Sequence, residues 1–123
     1  MRRLASILAV LGFLLGVAPP AAGQGGIMPV DTALVLVVDA SGSISEGEFR
    51  LQREGIALAV TDPSVMAAIQ SGGLQRIALA YVEWGGPMMA QTMVGWMIVE
   101  NGASADDFAA AVLAAPREGG TSS

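Results

Sequence analysis

Three oxygen-bearing side chains stand at alternate positions of one short segment: Asp39, Ser41 and Ser43. A carboxylate and two hydroxyls are ligands that hard divalent cations such as Mg²⁺, Mn²⁺ or Ca²⁺ accept. Alternate spacing in a tight turn lets the three oxygens converge, and we expect Gly42 to permit the bend without steric cost. The pattern therefore predicts a divalent metal site. The alternative is an ordinary turn, because Asp and Ser side chains routinely cap and turn a chain.

The residue types that the chain lacks exclude several classes of chemistry. It has no His and no Cys, and all six of its basic residues are Arg. Catalytic Ser-His and Cys-His pairs, zinc knuckles, Schiff-base lysines and phosphate-loop lysines are therefore excluded. A Mg²⁺-dependent phosphoryl-transfer enzyme with Asp39 as nucleophile is a remote alternative. Such an enzyme would usually carry a second acid two residues later, where this chain has Ser41, so we expect no enzymatic activity.

The candidate site follows a predicted strand and precedes a predicted helix. Residues 33–38 form a continuous aliphatic run, which suits a strand buried on both faces of a parallel sheet. Asp39 would then lie at the carboxyl end of the strand, where open α/β sheets bind their ligands. Ser45 and Glu48 have the spacing of a capping box at the start of a helix. Arg53 falls on the apolar face of that helix, where we expect its charged end to reach out to solvent.

Two further strands and a short helix are expected next. Asp62 and Pro63 predict the cap and first turn of the short helix. Residues 77–84 and 92–99 predict strands two and three, and their short connection favours an antiparallel hairpin. Glu83 and Trp84, at the end of strand two, are expected to be structural, with lining of a ligand surface as the alternative.

The predicted order of elements describes an α/β sheet that is only partly built. Ser104 and Asp107 predict the start of a last helix, which Pro116 ends. Strand one is the most apolar segment of the predicted sheet and should lie at its centre. If the chain stopped at Ser123, one edge of that strand would lack a partner, an arrangement prone to aggregation. We therefore expect the natural protein to continue past Ser123.

The segment from Leu36 to Ile44, which contains the pattern D-x-S-x-S, resembles the first metal motif of von Willebrand factor type A (vWA) domains. The resemblance extends over residues 31–123. Residues 81–84 and 119–122 resemble an exported branch of that family from Gram-negative bacteria, which has no assigned function. The resemblance implies the N-terminal part of a doubly wound, Rossmann-like vWA sheet, with the first three strands and their helices present and the C-terminal half missing.

The resemblance also implies a ligand set and a function. In vWA domains the metal-ion-dependent adhesion site takes two serine hydroxyls, an aspartate, a threonine from a later loop and a second aspartate. Asp39, Ser41 and Ser43 match the first motif, and Thr121 matches the threonine. The second aspartate has no counterpart before Ser123, which implies weaker metal binding. The metal expected from the resemblance is Mg²⁺, and the partner is a protein that offers a carboxylate to it.

The amino-terminal residues predict export. Arg2 and Arg3 precede an apolar run over residues 4–17 and a small-residue stretch over 18–23, the arrangement of a signal peptide cleaved after Gly23. A transmembrane anchor is the alternative, but the run is shorter than the roughly 20 residues that span a bilayer. We therefore assign residues 1–23 to a signal peptide, 24–30 to a flexible lead-in and 31–123 to the domain.

The location and charge of the mature chain limit its partners. Without Arg2 and Arg3, four basic residues face eleven acidic ones, a net charge of −7, which argues against nucleic acid as a partner. We expect a periplasmic or secreted protein with no stable membrane insertion after cleavage. The leading hypothesis is a metal-dependent protein-binding module for adhesion or assembly, and the main alternative is a structural envelope protein with a degenerate site.

Overall fold

The computed structural model describes residues 26–86 and 89–117, and it contains the predicted order of strands and helices. The elements are β1 (Thr32–Asp39), α1 (Glu46–Thr61), α2 (Pro63–Gln70), β2 (Ile77–Trp84), β3 (Ala90–Val99) and α3 (Gly102–Ala114). The predicted signal peptide and Thr121 lie outside the described residues. Within the described ranges, no helix has the length and apolar character needed to cross a bilayer.

The sheet has the order β1-β2-β3 and is mixed. β1 runs parallel to β2, with a register that joins Thr32 to Ile77 at one end and Asp39 to Trp84 at the other. β2 and β3 form the predicted antiparallel hairpin. The fold is therefore α/β and compatible with part of a Rossmann-like sheet. Because β1 and β2 are parallel, their carboxyl ends lie side by side.

The hydrophobic core lies between the helices and one face of this sheet. On β2 it includes Leu79 and Tyr81, which occupy that face together with Val38 of β1. Val94 and Val99 of β3 and residues of all three helices complete the core, the helical ones being Ala57, Val60, Ile69, Ala105, Phe108, Ala109 and Val112. Burial of these side chains is the main favourable contribution to folding.

The prediction that β1 is buried on both faces is not met in the described residues, where β1 has the unpaired edge that we expected of a sheet ending at Ser123. β1 is an edge strand, and only Val38 among its eight residues is buried. Val35 and Val37 are about half exposed, at 48% and 59%, because they point away from the face on which the described helices pack. Trp84 and Trp96 are also exposed, at 41% and 58%. The aliphatic run marks β1 as able to be buried, but the described helices cover only one of its faces.

All three helix starts follow local capping rules, and the sequence predicted two of them at the correct residue. The Ser45 hydroxyl accepts from the Glu48 N–H at 3.3 Å, while the Glu48 carboxylate accepts from the Ser45 N–H at 2.9 Å, which completes the predicted capping box. Asp62 caps α2 and Pro63 is its first residue, as predicted. The start of α3 was predicted too late. Asn101 is its N-cap, and the Ser104 hydroxyl is the third-position partner of that box.

The beginning of β1 is tied to the loop between α2 and β2 by a carboxylate. Asp31 Oδ1 accepts from the Leu74 N–H at 2.9 Å, and the Asp31 N–H donates to the Arg76 carbonyl at 2.9 Å. The loop passes so close that a Cβ on Gly72 would lie 2.3 Å from Asp31 Oδ2. A side chain at position 72 would have to displace the Asp31 carboxylate, and the contact fixes where β1 enters the sheet.

Candidate metal centre

The loop that carries the candidate ligands leaves the carboxyl end of β1 under firm backbone control. The Ala40 N–H donates to the Trp84 carbonyl at 2.8 Å, which extends the parallel pairing one residue past β1, and Ala40 is only 2% exposed. The Gln52 side-chain amide of α1 donates to the Asp39 carbonyl at 3.3 Å. Asp39 is therefore held between the neighbouring strand and the following helix.

The two serine hydroxyls meet beyond the strand end. Ser41 Oγ and Ser43 Oγ lie 3.1 Å apart, and the Ser41 N–H donates to Asp39 Oδ1 at 2.8 Å. Two adjacent ligands of an octahedral Mg²⁺, each about 2.05 Å from the metal, would be about 2.9 Å apart. The separation of the hydroxyls is close to this value, and it is also that of an ordinary hydrogen bond between them. The same contacts are equally those of an ordinary turn capped by Asp39.

The electrostatics of the loop favour an ionised Asp39. The hydroxyl and the backbone N–H of Ser41 both interact with the Asp39 carboxylate and hold its pKa below the ordinary value. The Ile44 N–H donates to the Ser41 carbonyl at 3.0 Å, which closes the turn just before α1 begins at Glu46. The amino terminus of α1, with its positive partial charge, therefore lies next to the loop.

The donor set that the described residues offer is small. In residues 26–86 and 89–117, no group of three or more His, Cys, Asp or Glu side chains is placed to hold a metal ion. A cation at this loop would depend on the two hydroxyls and the single Asp39 carboxylate, with Thr121 lying outside the described part. Gly42 does not have the conformational role that we expected, because its φ is not in the left-handed region and a Cβ there would meet open space.

Arg53 does not reach solvent, and the expectation that it would is wrong. It is 7% exposed, and its Nη2 lies 2.6 Å from Oε1 of Glu83, which is 2% exposed. The Tyr81 hydroxyl donates to the same Glu83 oxygen at 2.7 Å, and burial together with this hydrogen bond raises the pKa of Tyr81. Burial alone would lower the pKa of Arg53, but the contacts with Glu83 and Tyr81 raise it overall. Glu83 is thus structural, as expected.

A second arginine ties the end of the described chain to the candidate loop. Arg117 Nη2 donates to the Ile44 carbonyl at 2.8 Å, and its Nη1 donates to Glu46 Oε2 at 2.7 Å. Its guanidinium carbon lies 4.5 Å from the centre of the Phe49 ring, and so does that of Arg53. The sequence pattern did not reveal this cluster. The sequence feature that could have indicated it is Arg53 itself, because an arginine on the apolar face of a helix can pair with a buried acid.

Comparison with known proteins gives a family but no activity. A family model described as "Protein of unknown function (DUF1194)" matches residues 29–123. No curated protein and no solved structure matches the chain. The matched description names neither a ligand nor a reaction, so any function has to be argued from the site.

Proposed function

The chain belongs to the DUF1194 family, and we propose that it is an exported, metal-dependent protein-binding module of the vWA kind. The observation that carries the proposal is the 3.1 Å separation of the Ser41 and Ser43 hydroxyls beside the Asp39 carboxylate. Oxygen ligands at this separation suit Mg²⁺. The Asp39 carboxylate is charged at neutral pH, as any ordinary Asp is, and its contacts with Ser41 lower its pKa further.

The residues of the loop would divide the work of holding the cation. Ser41 and Ser43 offer neutral hydroxyl oxygens, and Asp39 offers negative charge, either directly or through a water molecule. Thr121 is the further ligand proposed from the vWA resemblance. When bound, the cation supplies a Lewis-acidic position that a carboxylate of a partner protein can fill. Because Asp39 is the only acid in this ligand set, the cation keeps positive charge to attract that carboxylate.

The proposal includes no catalytic step. The position two residues after Asp39 is Ser41 rather than an acid, and the chain has no His, Cys or Lys to serve as base or nucleophile. The proposed signal peptide, residues 1–23, would deliver the mature chain to the periplasm or the exterior. A cell-envelope location fits a role in adhesion or assembly, with no nucleic acid as partner.

The relaxation rate of water protons near Mn²⁺ tests both metal binding and partner binding. When Mn²⁺ binds to the chain it tumbles more slowly, which raises the relaxation rate of the water protons. We expect this enhancement to disappear in Asp39→Ala. A short Glu-containing peptide should then lower the enhancement by displacing metal-bound water. The same peptide with Gln in place of Glu serves as the matched control and should have no effect.

The structural envelope protein is the alternative outcome of this experiment. One observation favours it: the Asp39 carboxylate already accepts the Ser41 N–H, as in a turn that needs no metal. A relaxation rate that is the same for the unmutated chain and for Asp39→Ala would exclude metal binding through Asp39 and favour this alternative. Mg²⁺-dependent release of phosphate from a generic phosphate ester, lost in Asp39→Ala, would instead support an enzyme.

A further inference from the structure

The segment that follows α3 is attached to the candidate metal loop by a cluster around one aromatic ring. Phe49 is 2% exposed, and the guanidinium carbons of Arg53 and Arg117 each lie 4.5 Å from its ring centre. Guanidinium groups are attracted to aromatic rings, and more strongly where water is excluded. The buried ring of Phe49 thus holds two arginines that come from distant parts of the chain.

The two arginines connect the segment after α3 to α1 and to the loop. Arg53 of α1 donates to the carbonyls of Ala115 and Pro116, the latter at 3.0 Å. Arg117 reaches back to the Ile44 carbonyl and to the Glu46 carboxylate. Ile44 directly follows Ser43, so the attachment point of Arg117 is the residue next to a candidate ligand.

We propose that Phe49 and Arg117 are positioning residues, which form a latch that fixes the segment after α3 against the metal loop. This inference rests on the proposed metal-binding function: the attachment of Arg117 would set how tightly the loop binds its metal ion. Arg117 holds the Ile44 carbonyl, and Ile44 directly follows the candidate ligand Ser43. Opening the latch therefore releases the carboxyl end of the loop that carries the candidate ligands.

The latch and the metal are thermodynamically linked. If a closed latch strengthens metal binding, then bound metal must hold the latch closed to the same extent. Trypsin reports on the latch because cleavage of the Arg117–Glu118 bond requires Arg117 to leave Ile44, Glu46 and Phe49. Cleavage at Arg117 removes only residues 118–123. Mass spectrometry therefore distinguishes it from cleavage at the other arginines.

Two variants open the latch without altering a proposed ligand. Phe49→Leu keeps an apolar side chain but removes the ring, and Glu46→Gln removes the ion pair at an exposed position. A desolvated cation–ring contact shifts an equilibrium by up to about 30-fold, so we expect Phe49→Leu to accelerate cleavage at Arg117 by about 5- to 30-fold. Glu46→Gln should accelerate cleavage at Arg117 by about 2-fold, because an exposed ion pair contributes little free energy. Glu54→Gln, an exposed change on the same helix, is the control and should have no effect.

The coupling is tested by repeating the cleavage with Mn²⁺ and by measuring Mn²⁺ affinity by calorimetry. We expect Mn²⁺ to slow cleavage at Arg117 in the unmutated chain but not in Asp39→Ala. We expect Phe49→Leu and Glu46→Gln to weaken Mn²⁺ binding only as far as they lower the closed fraction of the latch, because the apparent affinity scales with that fraction. If calorimetry shows that the unmutated chain binds Mn²⁺ but saturating Mn²⁺ leaves the rate of cleavage at Arg117 unchanged, the latch proposal is overturned and the metal function stands. If the unmutated chain binds no Mn²⁺, both are overturned together.

Discussion

The sharpest stability prediction concerns Arg53, whose replacement by Met should leave a buried carboxylate without its cation. Glu83 is 2% exposed, and Oε1 accepts from Arg53 Nη2 at 2.6 Å, from Arg53 Nε at 3.1 Å and from the Tyr81 hydroxyl. In Arg53→Met only the Tyr81 contact remains. Removing one partner of a buried ion pair costs about 3–5 kcal/mol, a large share of the about 5–15 kcal/mol by which domains are stable.

Urea unfolding followed by circular dichroism measures this cost, and two further variants interpret it. Arg50→Met is the matched control, since Arg50 is exposed on the same helix, and it should change the free energy of unfolding by no more than about 0.5 kcal/mol. Arg53→Met combined with Glu83→Leu removes both charges and should be more stable than Arg53→Met alone. This account of the ion pair is contradicted if Arg53→Met costs no more than Arg50→Met, or if the double variant is no more stable than Arg53→Met alone.

Three smaller predictions address the positions around the site. Gly72→Ala should destabilise the chain by about 1–3 kcal/mol, because its Cβ would displace the Asp31 carboxylate; unchanged urea unfolding would contradict this close approach. Gly42→Ala should leave both stability, within about 0.5 kcal/mol, and Mn²⁺ affinity unchanged; a loss of either would restore a conformational role for Gly42. The hydroxyl and N–H of Ser64 lower the pKa of Asp62, so this cap stabilises the chain above the unfolded-state pKa of about 3.9 and is lost as pH falls through the lower folded-state value. Asp62→Asn keeps a capping oxygen that does not titrate, and urea unfolding from pH 5 downward should show a shallower loss of stability in this variant; equal acid sensitivity would contradict the prediction.

The order of elements was predictable because its signals are local. The aliphatic run before Asp39 and the capping box of Ser45 and Glu48 each depend on residues that are near in sequence. The same holds for Asp62 and Pro63, whose positions fix the start of α2. The hairpin follows from a short connection between two apolar segments. None of these features requires knowledge of a distant partner.

The buried ion pair was not predictable in the same way because its partners are 30 positions apart. An arginine on the apolar face of a helix can extend its charged end to solvent or pair with a buried acid, and the helix pattern is the same for both. Glu83 in an otherwise apolar strand was the second half of the signal. Only the parallel pairing of β1 with β2 and the packing of α1 on that face bring Arg53 to Glu83.

The burial of β1 and the candidate site show a second limit of sequence patterns. An aliphatic run indicates that a strand can be buried, whereas its actual burial depends on which elements pack against it. The alternation of Asp39, Ser41 and Ser43 likewise predicted that their side chains would gather, and the two hydroxyls do lie together. The pattern did not reveal the attachment of Arg117 to Ile44, because that contact joins residues 73 positions apart.

The most direct test of the proposed metal site is a thermal melt, followed by circular dichroism, of residues 24–123 with and without millimolar Mg²⁺. At a metal concentration one hundred times Kd, binding stabilises the folded state by about 2.7 kcal/mol, which raises the Tm of a domain of this size by about 10 °C or more. We expect this rise in the unmutated chain and in Asp106→Ala, which removes an exposed acid of α3, and no rise in Asp39→Ala. A Tm that Mg²⁺ leaves unchanged in the unmutated chain, or raises equally in Asp39→Ala, would contradict metal binding by Asp39, Ser41 and Ser43.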